Sequence, residues 1–201
     1  MSRNRGFLRD SGWLRAAGTA ALLLCLLGCG GGGGGDSNPV TCTSLTFERA
    51  LVGPSDGDVY FEQTSGTCST LDVGVLVSNL TGVFTVGFDL TYPQALLQYE
   101  SYTLGPLLQK GSPQTAPFVL VTPIVGGLQL TMTRFGPDIP VSAVGSEALI
   151  TLRFTRVAPG AGTIDFNTSS GSSVGEAILD DNGVARPALF APGHGGMVTV
   201  P

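Results

Sequence analysis

Phe84-Thr85-Val86-Gly87-Phe88-Asp89-Leu90-Thr91-Tyr92 is the stretch on which the fold of this chain turns. Phe84, Val86, Phe88, Leu90 and Tyr92 alternate with Thr85, Gly87, Asp89 and Thr91. Side chains along an extended strand point to opposite faces in turn. A period of two over nine residues therefore predicts a half-buried β-strand, apolar on one side and polar on the other. The same pattern recurs on either side. Leu71, Val73, Val75 and Val77 share one face of an earlier strand, and Leu45-Thr46-Phe47-Glu48 alternates before that. Downstream, residues 118–121 are a short apolar run. Leu128, Leu130 and Met132 alternate with polar residues, and Ala148, Ile150, Leu152 and Phe154 alternate with Leu149, Thr151, Arg153 and Thr155. Residues 164–166 and 198–200 complete the set. Asp56-Gly57-Asp58, Asn79-Leu80-Thr81-Gly82, Pro159-Gly160-Ala161-Gly162 and Asp181-Asn182-Gly183 separate them as turns, the last as a hairpin signal. Eight or nine short strands at this spacing predict an all-β, antiparallel sandwich.

Composition agrees. Charged residues make up 12% of the 201, with 30 Gly and 13 Pro, and no long stretch repeats apolar residues at helical spacing. Charge is unevenly placed. Arg3, Arg5, Arg9 and Arg15 fall in the first fifteen residues, opposed only by Asp10. The remainder carries six basic and fourteen acidic residues, a net charge near −8. A surface so poor in cations gains little by neutralising phosphates, which argues against nucleic acid as a partner.

The N-terminus reads as an address. A basic stretch leads into an apolar run of twelve at residues 16–27. A bilayer core takes about 20 apolar residues, so the run suits a cleaved signal rather than a stable span. It ends in Leu26-Leu27-Gly28-Cys29, which resembles a bacterial lipobox, although Leu27 is bulkier than the usual residue there. The resemblance implies a signal peptide over residues 1–28 and a lipid on Cys29. Six glycines at 30–35 and then Asp36-Ser37-Asn38-Pro39 follow, a composition that forms a flexible coil and not a packed element. Residues 29–41 are thus expected to be a lipidated tether and residues 42–201 the domain. By resemblance to lipoproteins of two-membrane bacteria, Gly30 rather than Asp directly after the cysteine implies sorting to the outer membrane of the cell envelope.

Of four cysteines, Cys25 lies in the signal and Cys29 carries the lipid. Cys42 and Cys68 remain, and two cysteines in an exported domain most simply form one disulfide.

Catalytic and metal-binding patterns are missing. The one histidine, His194, has no cysteine or carboxylate neighbours and forms no zinc motif. No Gly-x-Ser-x-Gly elbow occurs, and Gly30–Gly35 has no strand before it or helix after it, so it is not a phosphate loop. Asp56-Gly57-Asp58 and Asp180-Asp181-Asn182-Gly183 lack the further carboxylates of a calcium loop and read as turns. Neither an enzyme nor a bound cofactor or metal is expected.

Four segments, taken in order, resemble cohesin modules. Residues 73–79 and Thr81-Gly82-Val83 lead into the Phe84–Tyr92 strand and then Pro93-Gln94-Ala95-Leu96-Leu97-Gln98, as in the family's third-strand region. Glu147-Ala148-Leu149-Ile150-Thr151-Leu152-Arg153-Phe154 resembles a later strand, and Gly195-Gly196-Met197-Val198-Thr199-Val200 the terminal one. The family's Tyr-Asp-Pro stands here as Tyr92-Pro93-Gln94. The resemblance implies a jelly-roll sandwich of about nine strands, shared with cellulose-binding modules. It implies a binding module that docks a dockerin-type protein, often borne by polysaccharide-degrading enzymes. Its docking face includes the third and eighth strands, which would place Thr85, Gly87, Asp89, Thr91, Thr151, Arg153 and Thr155 at the partner. The alternative on the same scaffold is a carbohydrate-binding module. That requires exposed rings, and Trp13 lies in the signal, leaving Tyr99 and Tyr102 as candidates to stack on a polysaccharide.

Overall fold

The computed structural model describes residues 42–111, 116–135, 139–168, 176–186, 188, 190–191 and 193–201. The chain divides into residues 1–40 and 41–201, and all described residues belong to the second unit. The signal, Cys29 and the glycine tether lie outside them.

Eleven strands are present among the described residues: β1 (Thr46–Arg49), β2 (Val59–Gly66), β3 (Thr70–Ser78), β4 (Thr85–Thr91), β5 (Leu97–Leu104), β6 (Phe118–Ile124), β7 (Gly127–Thr133), β8 (Ser146–Arg156), β9 (Gly160–Phe166), β10 (Ala177–Leu179) and β11 (Gly196–Val200). A single 3-10 turn, Leu107–Gln109, follows β5. The strands form two antiparallel sheets, β1-β11-β9-β4-β7-β6 with β10 beside β4, and β2-β3-β8-β5. The core lies between them. Val73, Val75 and Val77 of β3 and Ile150, Leu152 and Phe154 of β8 belong to the same buried cluster as Val86, Phe88 and Leu90 of β4 and Leu128, Leu130 and Met132 of β7. The expected all-β sandwich is therefore present, with two or three more strands than the sequence suggested.

Each extra strand has a physical reason for escaping the pattern. In β2 the alternation is masked because Tyr60 points outward yet is buried, with the Arg49 guanidinium 5.7 Å from its ring centre. β5 is an edge strand, polar and mostly exposed, and a register shift falls between Tyr99 and Ser101. β10 is three residues long and holds one buried side chain, Ile178. The glycines at 160 and 162, expected in a turn, are the first part of β9 and pair with Val200 and Val198. They are glycines because the 93–96 segment lies over them: a Cβ on Gly162 would stand 2.7 Å from the Pro93 Cβ. Leu149, placed by simple alternation on the polar face of β8, is fully buried. The register slips there, with Val75 opposite Ile150 but Leu76 opposite Ala148.

Cys42 and Cys68 are bonded to each other, as the cysteine count suggested. Cys68 sits in the β2–β3 turn, so the bridge joins the chain just ahead of β1 to that turn.

Candidate docking face

β4, which carries four of the seven candidate contact residues, is covered on its inner side by the core. Its outer side belongs to a four-strand surface whose registers fix which side chains stand together. One row runs Phe118 (β6), Thr133 (β7), Thr85 (β4) and Leu179 (β10). The next runs Leu120, Thr131, Gly87 and Ala177, and the third Thr122, Gln129 and Asp89. The Thr85 and Thr133 hydroxyls lie 2.7 Å apart, which confirms that this is one face.

The face changes character along the strands. At one end Phe118, Leu120 and Phe135 are each more than 40% exposed, and the Phe118 and Phe135 rings meet edge to face at 6.2 Å. Exposed apolar clusters of this kind mark interaction sites more often than chance surface does. At the centre Gly87 stands between Thr131 and Ala177 and is itself buried. At the other end stand Asp89 and, just ahead of β10, Glu176. Burial pushes the Glu176 carboxyl above its ordinary value; a backbone hydrogen bond works against this and the Asp89 charge adds to it. None of the described residues in these rows is a Lys or Arg.

Two expectations for this face need correction. The polar side of β4 is not simply solvated: Gly87 is buried and Asp89 is only 1% exposed. Its edge is split between two strands. β9 pairs with Leu90 and Thr91, β10 pairs with residues 85–87, and Asp89 lies at the junction, where its carbonyl accepts the Asn167 N–H at 2.9 Å. Nor do the seven residues form one surface. Thr151, Arg153 and Thr155 belong to β8, in the other sheet, whose outer face points the opposite way. There Arg153 makes a two-pronged ion pair with Asp72 of β3, at 2.7 and 2.8 Å. The Arg153 hydrogen bond holds the Asp72 carboxyl below its ordinary value; burial opposes this, and Ser65 and the Arg153 charge assist. Strand order decided this split, and period-two patterning carries no information about it. Phe118, Leu120, Phe135 and Glu176 were the residues missed. The only signal for the first two was alternation in a short apolar run, which does not say which side faces solvent.

Several other polar groups hold loops. Asp180 accepts the N–H groups of Asn182 and Val184 at 2.9 and 2.8 Å and pairs with Arg186. Asp58 caps Ser55 N–H, and Asp56 accepts from Asn79. His194 Nδ1 lies 3.0 Å from the Val59 carbonyl. A groove of about 380 Å³ is lined by Glu48, Thr163, Asp165 and Met197 over Gly195 and Gly196. The Asp165 carboxylate accepts the N–H groups of Gly193, Gly195 and Phe166, which occupies it as a loop cap. Among the described residues no three His, Cys, Asp or Glu side chains gather as a metal cage. Tyr99, expected to be open to a glycan, packs against Phe154 with ring centres 6.3 Å apart.

No protein-family model matches the chain, and no curated protein sequence matches it. Solved structures do. A type II cohesin dyad from the adaptor scaffoldin of Acetivibrio cellulolyticus aligns with 74% of this chain at a TM-score of 0.54 and 12% identity; the chain spans about half (49%) of that dyad. A single type II cohesin domain from the cellulosome of the same organism aligns at 0.51 and 12% identity, covering 72% of this chain and 94% of the domain. The Clostridium acetobutylicum cohesin CaCohA2 aligns at 0.50 and 18% identity, covering 78% and 90%. A type II cohesin solved as a cohesin–X-dockerin complex from Acetivibrio cellulolyticus aligns at 0.50 and 15% identity, covering 69% and 94%. The described residues thus have the cohesin fold, a jelly-roll β-sandwich, as the sequence resemblance implied.

Proposed function

We propose that the domain is a non-catalytic binding module that docks a dockerin-type protein on the outer face of β6, β7, β4 and β10. The observation that carries this reading is the exposed Phe118–Leu120–Phe135 cluster on the outer face of this sheet, on a sandwich whose solved counterparts include a cohesin in complex with a dockerin. Thr85 contributes a polar contact beside Phe118, and Thr91 stands at the far end of β4. A suitable partner sets apolar side chains against the Phe118 end. The lipobox and glycine tether support a domain held at the cell surface through Cys29, on the outer membrane, where it would retain enzymes that degrade polysaccharides.

Calorimetric titration of the domain with the dockerin-type modules of the source organism tests the docking reading. Binding to at least one module, abolished by Leu120→Glu with the fold unchanged by circular dichroism, is the expected result. Absence of binding to all of them, or equal binding by Leu120→Glu, rejects it.

A further inference from the structure

We infer that the Cys42–Cys68 bridge is a load path: tension entering the domain from its N-terminal side passes into the β2–β3 turn and bypasses β1. The inference stands on the bridge and the strand order; the tethered reading only says where tension comes from.

β1 is an edge strand of its sheet and pairs with β11 over four residues, Thr46 opposite Thr199 through Arg49 opposite Gly196. The pairing is antiparallel, so β1 begins beside the end of β11. A pull on the start of β1 against the C-terminus would therefore open these pairs one after another, the weakest way to load a ladder. β2 comes next and is also an edge strand. Without the bridge, the two strands nearest the N-terminus would peel in succession.

With the bridge, Cys42 cannot move away unless Cys68 moves with it, since their Cα atoms are 5.6 Å apart. β1 and β2 both lie inside the covalent loop of 26 residues. Cys68 is set in a tightly bonded turn: Thr67 N–H donates to the Thr70 carbonyl at 2.8 Å, Thr70 N–H donates to the Thr67 hydroxyl at 3.0 Å, and Leu45 N–H donates to the Thr67 carbonyl at 2.8 Å. Beyond the turn is β3, which is bonded on both edges, to β2 and β8, and buries Leu71, Val73, Val75 and Val77 completely. Tension at Cys68 must break β3 from two neighbours and from the core together. A partner held on β4 pulls from the opposite sheet, so the load crosses the packed interior.

The test is single-molecule force spectroscopy on the full chain, with handles at both ends and with Cys25→Ser and Cys29→Ser so that only the 42–68 pair can bridge. The oxidised chain is compared with the same preparation in reductant and with a Cys42→Ala/Cys68→Ala variant. Reduction should lower the rupture force. It should also lengthen the released chain by about 90 Å, the extended length of 26 residues. Equal rupture forces in the two states overturn the proposal, even if the extra length appears. So does loss of the β-sheet circular dichroism signal on reduction at zero force, which would make the bridge a folding staple. Neither result depends on a dockerin or a lipid, so failure here is distinct from failure of the docking reading.

Discussion

Asp89→Ala removes a carboxylate that is 1% exposed at the junction of β9 and β10 on the edge of β4. Deleting a buried polar group strands the groups packed around it, at a typical cost of about 1–3 kcal/mol. Urea unfolding should show a loss of that size, whereas a solvated side chain would change stability by less than about 0.5 kcal/mol. Asp89 is thus a poor position at which to probe binding. Leu120 is better placed: it is 47% exposed, so a charge there disturbs a docked partner before it disturbs the core. Both residues sit on the outer side of the sheet. Alternation alone gave the side of Asp89 correctly and its burial wrongly, because a strand's pattern does not say what lies against either side.

At the scale of strands, the Arg153–Asp72 pair ties β8 to β3 on the outer face of the smaller sheet. Asp72 is held below its ordinary value of 3.8 in the folded state, chiefly by the Arg153 hydrogen bond. A carboxyl depressed by folding stabilises the fold fully above its unfolded value and loses that contribution as pH falls through the folded value. Wild-type stability should therefore fall with acid below about pH 4, and Arg153→Ala should flatten that part of the profile while changing little near neutrality. Thermal midpoints of the two proteins between pH 2 and pH 7 check this; parallel profiles would mean that the pair contributes nothing. The glycines of β9 make a second strand-level case. Gly162→Val places a branched side chain against Pro93, where even a Cβ would be 2.7 Å away, and overpacking of this kind costs about 1–3 kcal/mol. A Gly-Ala-Gly run reads as a turn from sequence because glycine's freedom is the usual reason for glycine. Here the reason is a segment lying over it, which only the packed structure reveals.

For the whole molecule, the disulfide closes a 26-residue loop and in the chain-entropy model stabilises the domain by about 3–4 kcal/mol. Cys42→Ala/Cys68→Ala should lose stability on that scale in denaturant titration, and a change below about 1 kcal/mol would contradict the model. Cys29→Ala should leave the chain uncleaved or free of membranes, read by fractionation and by labelling with a fatty-acid probe; equal labelling of mutant and wild type would refute lipidation there. What the sequence determined by itself was local or countable: period-two alternation, most of the turns between strands, the cysteine pair and an all-β sandwich. Each of these follows from neighbours along the chain or from residue counts. The tertiary structure decided which strands share a sheet, and so sent Thr85 and Thr91 to one face of the molecule and Thr151, Arg153 and Thr155 to the other. It also decided which polar residues are covered and which apolar ones, Phe118, Leu120 and Phe135, are left open. The physical reason is that a strand's pattern fixes two sides but not what lies against either, and that depends on pairings between residues tens of positions apart.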